Sequence, residues 1–124
     1  MLVTGGGSGL GAALVFELKE KGHTVHIIDQ LDCGPGNLQI DLTAENLTQM
    51  VSNFQEKIGP VDTLICCAAV FKFGSLLDMP VSEISKTMQV NVISILTLFR
   101  QVRPRLKLVV ISSEGVLLPI SPFT

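Results

Sequence analysis

The chain has 124 residues, of which 47% are hydrophobic and 16% are charged, and its mean hydropathy is +0.50. This composition excludes a disordered chain and fits one globular domain. With a net charge of -2, the chain lacks the excess of basic residues expected of a protein that binds nucleic acid or an anionic membrane surface.

Strands and helices alternate along the first part of the chain. Residues 2–4 form a short apolar run that predicts a strand, and a glycine-rich turn follows at residues 5–11. Leucines at helical spacing then predict a helix over residues 10–21, which Gly22 ends. The β-branched residues 24–28 predict a second strand.

The middle of the chain repeats this alternation. A third short strand is predicted at residues 38–42. Thr43 is a suitable N-cap for a second helix that extends to about residue 57, before the helix-breaking Gly59-Pro60 pair. Residues 61–67 then predict a buried fourth strand.

The last part of the chain predicts one more helix and one more strand. Ser82 is a candidate N-cap for a long helix that ends before Pro104, and residues 106–111 predict the fifth strand. Residues 114–124 have a loop-like composition, so no predicted helix covers that strand. Short connections between alternating strands and helices indicate an α/β fold with a doubly wound parallel sheet (a Rossmann fold).

Ligands bind such sheets at the carboxyl ends of the strands, so the turn after the first strand is the expected binding site. Its glycines can supply a tight turn, a close approach to a pyrophosphate and close helix–strand packing at Gly5, Gly9 and Gly11, respectively. The pattern also fits in a second register, at Gly7, Gly9 and Ala12. A merely tight loop is the structural alternative. The predicted cofactor-binding residues here are Thr4, Gly5, Gly7, Ser8, Gly9, Leu10 and Gly11.

Asp29 ends the second predicted strand, about 20 residues after Gly9, where a carboxylate can accept hydrogen bonds from ribose hydroxyls. A carboxylate at this place repels a 2′-phosphate, and no Lys or Arg lies in the glycine loop or just after Asp29 to offset the repulsion. The sequence therefore predicts NAD as the cofactor rather than NADP. The alternative is an aspartate that only caps the end of the strand.

The spacing Thr4-Gly5-x-x-x-Gly9-x-Gly11 resembles that of the short-chain dehydrogenase/reductase family, in its short-subunit branch. The resemblance continues along essentially the whole chain, at Asp41-Leu42, Cys66-Cys67-Ala68-Ala69, Asn91 and Ile111-Ser112-Ser113. It implies that Asp41 and Leu42 contact the adenine, and that Cys67, Ala68 and Ala69 line the cofactor site. It also implies catalytic roles for Asn91 and for Ser113, with Ser112 as the alternative to Ser113.

Each of these residues also has a structural interpretation. Ser113 can finish a buried strand by bonding its own backbone, and Asn91 can be an amide that is satisfied by backbone groups. The adjacent Cys66 and Cys67 lack the spacing of a redox or metal pair and fit as small buried residues. No metal site is expected.

The sequence departs from the family pattern at three places. Cysteines stand where the family has two asparagines, Ala69 replaces a glycine, and the chain contains no tyrosine, whereas a Tyr-x-x-x-Lys pair performs proton transfer in the family. The resemblance implies an NAD-dependent oxidoreductase that transfers a hydride between a nicotinamide and an alcohol or carbonyl. The chain is then its N-terminal part, inactive alone, with about five of the family's roughly seven strands. The alternative is a non-catalytic dinucleotide-binding module or an inactive relative.

Residues 1–124 are thus expected to form one NAD(P)-binding domain that is incomplete at its C-terminus. The family resemblance further implies a small alcohol or carbonyl substrate and, for a full-length protein, a homo-oligomer that pairs through residues 81–101. The N-terminus lacks a signal-peptide pattern, no apolar stretch is long enough to span a bilayer, and the three cysteines form no disulfide framework. We therefore expect a cytoplasmic protein that binds neither membranes nor nucleic acid.

Overall fold

The computed structural model, which describes residues 1–75 and 77–113, alternates strands and helices as the sequence predicts. Its strands are β1 (Leu2–Thr4), β2 (His26–Asp29), β3 (Leu38–Gln39), β4 (Thr63–Cys66) and β5 (Lys107–Val110). They form one sheet in the order β3-β2-β1-β4-β5, and every pair is parallel. The strand order reverses beside the central β1, which confirms the predicted doubly wound sheet.

The helices flank this sheet and connect its strands. They are α1 (Gly9–Glu20), α2 (Leu47–Ile58), α3 (Val81–Met88) and α4 (Ser94–Val102), and a π-helical turn at Gln89–Ile93 joins the last two. The predicted long third helix is therefore α3, the π turn and α4 in succession. No helix in the described part of the chain is long and apolar enough to cross a membrane.

Both faces of the sheet are buried, as the hydrophobic composition suggests. On one face Ile28 and Leu64 pack with Val51 of α2 and Leu98 of α4. On the other face Val3, Ile27 and Ile65 pack with Val15 of α1. The central strands are thus held between two layers of helices, which is typical of a parallel sheet.

The edge strand β5 is less covered than the central strands. Leu108 and Val110 keep 36% and 46% of their surface exposed. Residues 114–124, for which the sequence predicts a loop, lie outside the described residues.

Two predicted helix starts are wrong. Helix α2 begins at Leu47, because the Thr43 N–H and hydroxyl both donate to Asp41 Oδ1, at 2.8 and 2.7 Å, and hold a turn there instead. Helix α3 begins at Val81, directly after Pro80, so Ser82 lies inside its first turn. A proline fixes φ near the helical value and often stands at a helix start.

The strands also differ from the prediction in position or length; β4, for example, is Thr63–Cys66 rather than residues 61–67. Strand β2 begins two residues later than expected, at His26, and extends to Asp29, while β3 contains only Leu38–Gln39. The link between them is braced by Asn37, whose Oδ1 accepts from the Ile27 N–H at 2.8 Å and whose Nδ2 donates to the Cys33 carbonyl at 2.7 Å. Asn37 therefore ties the end of this link both to β2 and to its own loop.

Candidate functional site

A cleft of about 270 Å³ opens at the carboxyl end of the sheet. Its walls are the segments that follow β1, β2, β3 and β4, together with one face of α3 and the π turn. All of the predicted cofactor-binding residues except Thr4 and Gly7 line it. Residues far apart in sequence therefore meet where ligands bind in doubly wound sheets.

The glycine turn brings α1 into direct contact with the strand ends. A Cβ on Gly11 would lie 2.0 Å from the carbonyl oxygen of Gly5, and a Cβ on Gly5 would lie 2.6 Å from the Cα of Ala68. Gly5 also has a φ of +69°, which favours glycine. These contacts match the register of Gly5, Gly9 and Gly11, in which the last glycine packs the helix against the strand.

The start of α1 is open toward the cleft. Gly9 has a φ of +51°, and no atom lies within 4 Å of the place that its Cβ would take. Ser8 precedes the helix without capping it through its hydroxyl, and the first turn contains no acidic residue. The first N–H groups of a helix have no partner within it and carry a partial positive charge, so this end of α1 suits an anion such as a phosphate.

Thr4 and Gly7 support the cleft without lining it. The Thr4 hydroxyl accepts a hydrogen bond from the Ala68 N–H at 3.3 Å, which links the ends of β1 and β4. The Gly7 N–H donates to Asp29 Oδ2 at 2.8 Å, which links the glycine turn to the end of β2.

The position of Asp29 is compatible with both of the roles that the sequence left open. The residue is 8% exposed and lines the cleft. Oδ2 accepts from Gly7, and Oδ1 accepts from the Leu31 N–H at 2.9 Å. Because each carboxylate oxygen can accept more than one hydrogen bond, Asp29 can hold both loops and still accept from a ligand.

Asp41 lines the far end of the cleft, beyond β3. The backbone N–H and the hydroxyl of Thr43 hold the pKa of the Asp41 carboxyl below its ordinary value, and the positive charge of Lys86 acts in the same direction. Leu42 beside it is buried and forms part of the cleft wall.

Lys86 also lines the cleft, although the sequence analysis assigned it no role. It lies four residues before Val90, which is buried and lines the same cleft. Residues four apart share one face of a helix. The spacing of four residues between Lys86 and the apolar Val90 is the sequence feature that could have indicated that Lys86 faces the cleft.

Asn91 makes two hydrogen bonds to one residue of the loop after β4. Its Oδ1 accepts from the Val70 N–H and its Nδ2 donates to the Val70 carbonyl, both at 2.8 Å. Asn91 thus fastens the π turn to the loop that forms one wall of the cleft. Ser112 and Ser113 follow β5, are exposed, and do not line the cleft.

The adjacent cysteines are free thiols at the end of β4. Burial raises the pKa of the Cys66 thiol to about 11 and also raises the pKa of Cys67. Both thiols are therefore protonated at neutral pH, and a thiol is a far weaker nucleophile than a thiolate. Among residues 1–75 and 77–113, no group of three His, Cys, Asp or Glu side chains could hold a metal ion.

Known proteins resemble this chain in sequence. The sequence profile of the family described as short chain dehydrogenase matches residues 1–122. The (21S)-21-acetoxyl-apo-melianone synthase of Melia azedarach is 31% identical over 106 residues, which cover 74% of this chain and 39% of that protein. The 3-ketodihydrosphingosine reductase of Mus musculus is 25% identical over 111 residues, covering 73% of this chain and 33% of that enzyme. The chain spans about a third to two fifths of the length of the curated relatives it matches.

Solved structures resemble it more completely. A short chain dehydrogenase family protein from Francisella tularensis superposes with a TM-score of 0.82 at 29% identity, covering 98% of this chain and 53% of that chain. A 4-hydroxyisoleucine dehydrogenase complexed with NADH superposes with a TM-score of 0.84 at 23% identity, over 98% of this chain and 59% of that chain. The second likeness, at this identity, shows a shared fold.

The same added methyl group is expected to destabilise the protein to different extents at Gly9 and at Gly11. Gly11→Ala forces a Cβ onto the Gly5 carbonyl and is expected to lower the free energy of unfolding by about 3 kcal/mol. Gly9→Ala meets only the strain of a positive φ and is expected to cost about 1 kcal/mol. Urea unfolding followed by circular dichroism measures both variants. Equal costs, or a larger cost at Gly9, would contradict the packing described here.

Proposed function

The chain belongs to the short-chain dehydrogenase family, and on that premise we propose that it binds the cofactor of an NAD-dependent oxidoreductase. The reaction is hydride transfer between the nicotinamide and an alcohol or carbonyl carbon. One observation carries the proposal: the open N-terminus of α1 and the buried Asp29 line the same cleft. When bound, the nicotinamide supplies the group that gives or takes the hydride; the protein binds and orients it.

The pyrophosphate site in this proposal is the first turn of α1. The N–H groups at Gly9, Leu10 and Gly11 have no partners within the helix, and the helix dipole favours an anion there. The missing side chain at Gly9 leaves the approach open. A phosphate at this place needs no lysine, which fits the absence of Lys and Arg from the turn.

Asp29 is the proposed ribose-binding residue and the reason for preferring NAD. Its carboxylate is held in place by two backbone N–H groups, so it is preorganised to accept from ribose hydroxyls. A 2′-phosphate at the same position would place a second negative charge against a carboxylate that is almost completely buried.

The size of the cleft fits the adenosine half of a dinucleotide. Its 270 Å³ is slightly below the range of about 300–1,000 Å³ that is typical of small-molecule sites. Its walls run from the end of β3 to the end of β4. The nicotinamide half is proposed to extend from Cys67, Ala68 and Ala69 toward the end of β5.

Ser113 and Asn91 are the two residues that we propose to take part in catalysis, in different ways. Ser113 follows β5 at the same edge of the sheet, where its hydroxyl is proposed to hold the oxygen of the substrate. Asn91 acts through Val70, whose N–H and carbonyl it holds, and is therefore a positioning residue for the wall of the cleft.

The residues proposed so far do not include the group that transfers the proton in this family. The chain contains no tyrosine, and the family resemblance assigns the proton to a Tyr-x-x-x-Lys pair. We propose that residues 1–124, as one cofactor-binding domain, bind the dinucleotide without turning over an alcohol or carbonyl substrate by themselves. The same observation favours the second candidate function, a non-catalytic dinucleotide-binding module. Substrate oxidation by this chain alone would contradict both.

Oligomerisation is proposed from an apolar stripe along the helix that runs from α3 to α4. Its members recur at helical spacing and are all exposed: Met88 (51%), Val92 (41%), Leu96 (56%) and Phe99 (44%). Such a contiguous apolar stripe is typical of a protein interface. The proposed partner is a second copy of this chain, and the cytoplasm is the proposed location.

The ribose assignment predicts a specific loss of cofactor binding. Asp29→Ala is expected to weaken NADH binding by about ten-fold or more, whereas Glu56→Ala, which removes an exposed carboxylate from α2, should leave it unchanged. Fluorescence titration with NADH measures both, with little interference from a chain that lacks Trp and Tyr. Asp29→Asn keeps one oxygen acceptor and removes the charge, so it should bind NADPH more tightly than the original chain does. Equal affinity of the original chain for NADH and NADPH would contradict the assignment.

The interface proposal predicts that a charge on the stripe prevents association. Leu96→Glu is expected to yield monomers at concentrations where the original chain associates, because an unpaired carboxylate in an apolar interface is costly to bury. Phe16→Glu places the same charge at a residue of α1 that is 62% exposed and outside the stripe. Light scattering after size-exclusion chromatography distinguishes the three chains. Association that survives Leu96→Glu would contradict the proposal.

A further inference from the structure

The loop between β4 and α3 carries two exposed phenylalanines, Phe71 and Phe73. They keep 71% and 80% of their surface exposed. Their rings pack edge to face, with the ring centroids 4.6 Å apart and the ring planes at 88°. The two rings, called here the Phe pair, thus contact each other while most of their apolar surface faces solvent. Exposed apolar surface of this kind marks a binding site more often than a structural one.

The Phe pair continues the wall of the cleft. Val70 lines the cleft and directly precedes Phe71. Asn91 holds the backbone of Val70 through two hydrogen bonds, and the Lys72 ammonium, between the two phenylalanines, forms an ion pair with Glu83 at 3.1 Å. The loop that carries the pair is therefore tied both to the π turn and to α3, so the rings are held next to the cleft.

The position of the Phe pair along the sheet places it on the substrate side of the cleft. Strand β5 lies next to β4 in the sheet, and the nicotinamide half is proposed to extend from the end of β4 toward the end of β5. The Phe pair follows β4 in the same loop as Ala68 and Ala69. The adenosine half is proposed to lie toward β3, on the other side of β1. The pair is therefore on the side where the reacting carbon of a substrate approaches the nicotinamide.

The charges of this loop do not suit an anionic substrate. Residues 68–80 contain one basic residue, Lys72, and one acidic residue, Asp78. Since Lys72 is already paired with Glu83, a phosphate or carboxylate would have to compete with Glu83 for it. Two phenyl rings favour hydrocarbon instead, because hydrocarbon that covers them is removed from water together with the rings.

The area of the Phe pair fits a small molecule better than a protein or a membrane. One phenylalanine can bury roughly 150–250 Å², so the pair offers at most about 500 Å². A stable protein interface takes about 800 Å² from each partner. The one lysine and one aspartate of residues 68–80 give the loop no net charge, so it does not attract an anionic membrane surface.

We propose that Phe71 and Phe73 bind the apolar part of the substrate. The substrate class is then an alcohol or carbonyl compound whose reacting carbon carries a hydrocarbon chain or ring, rather than a sugar or a phosphorylated compound. This inference rests on the proposed function of the cleft, and it makes the Phe pair specificity-determining. A methylene group that becomes fully buried on binding strengthens the binding by about four-fold, so the length of the hydrocarbon chain is the property to vary.

Two ketones that differ only in chain length test the inference. 2-Octanone and 2-butanone are titrated into the chain saturated with NADH, and the amide shifts in ¹H–¹⁵N correlation spectra give both dissociation constants. We expect 2-octanone to bind about ten-fold more tightly or better, since four more methylene groups are partly buried. The expected shifts include the amides of Val70 and Gly74, which flank the Phe pair.

Variants of the Phe pair identify the residues responsible. The double variant Phe71→Ser, Phe73→Ser should reduce the preference for 2-octanone to about two-fold or less, because the apolar surface is removed. Phe71→Leu, Phe73→Leu should retain most of the preference, since leucine is also apolar. Phe16→Ser is the matched control, because Phe16 is 62% exposed on α1, and it should leave both dissociation constants unchanged.

Other outcomes overturn the inference in distinguishable ways. Equal binding of the two ketones by the original chain, or a preference that survives the double serine variant, would remove the Phe pair from the substrate site and leave the cofactor proposal intact. A double serine variant that changes the oligomeric state or the binding to phosphatidylcholine vesicles, without changing the ketone preference, would assign the pair to a protein or membrane contact. Failure of the original chain to bind NADH in a fluorescence titration would overturn the proposed function and this inference together.

Discussion

The first turn of α1 lies directly on the backbone that leaves β1. The Gly5 carbonyl oxygen occupies a position only 2.0 Å from where a Cβ of Gly11 would be, and Gly5 itself abuts the Ala68 backbone after β4. No side chain fits between these segments, so the helix start, the central strand and its neighbour can come this close only where the residues are glycine. This contact points the N-terminus of α1 into the cleft, and each binding property inferred for the cleft depends on that orientation.

Asp29 adds an electrostatic constraint to this steric one. A buried carboxylate is costly unless it is hydrogen-bonded, and here the backbone of Gly7 and of Leu31 supplies the donors. The same two bonds fix the glycine turn relative to the short link after β2, which Asn37 braces from its other end. The cleft is thus built mainly from backbone groups held by a few polar side chains. The charged residues that line it are Asp29, Asp41 and Lys86.

Much of the fold could be predicted from the sequence, because alternating apolar runs and helical spacing are local signals. The glycine turn and Asp29 were found by their spacing, and the structure brings them together. The start of α2 was not predictable from Thr43, because Asp41 competes for its hydroxyl and N–H. The π turn at Gln89–Ile93 left no pattern in the sequence, and Lys86 became visible only once α3 was packed over the cleft. The wrong start of α2 therefore comes from a local contact between side chains two residues apart, whereas the place of Lys86 depends on tertiary packing.

Binding of a dinucleotide across the strand ends is the central claim, and amide chemical shifts report on it most directly. In a ¹H–¹⁵N correlation spectrum titrated with NADH, the account predicts the largest shifts at Gly9 and Gly11 and further shifts at Leu31, Leu42 and Ala68. Residues at the opposite end of the sheet, such as Lys21 and Gly59, should stay unchanged. Saturable shifts confined to residues outside the cleft, or no saturable shift at all, would contradict it.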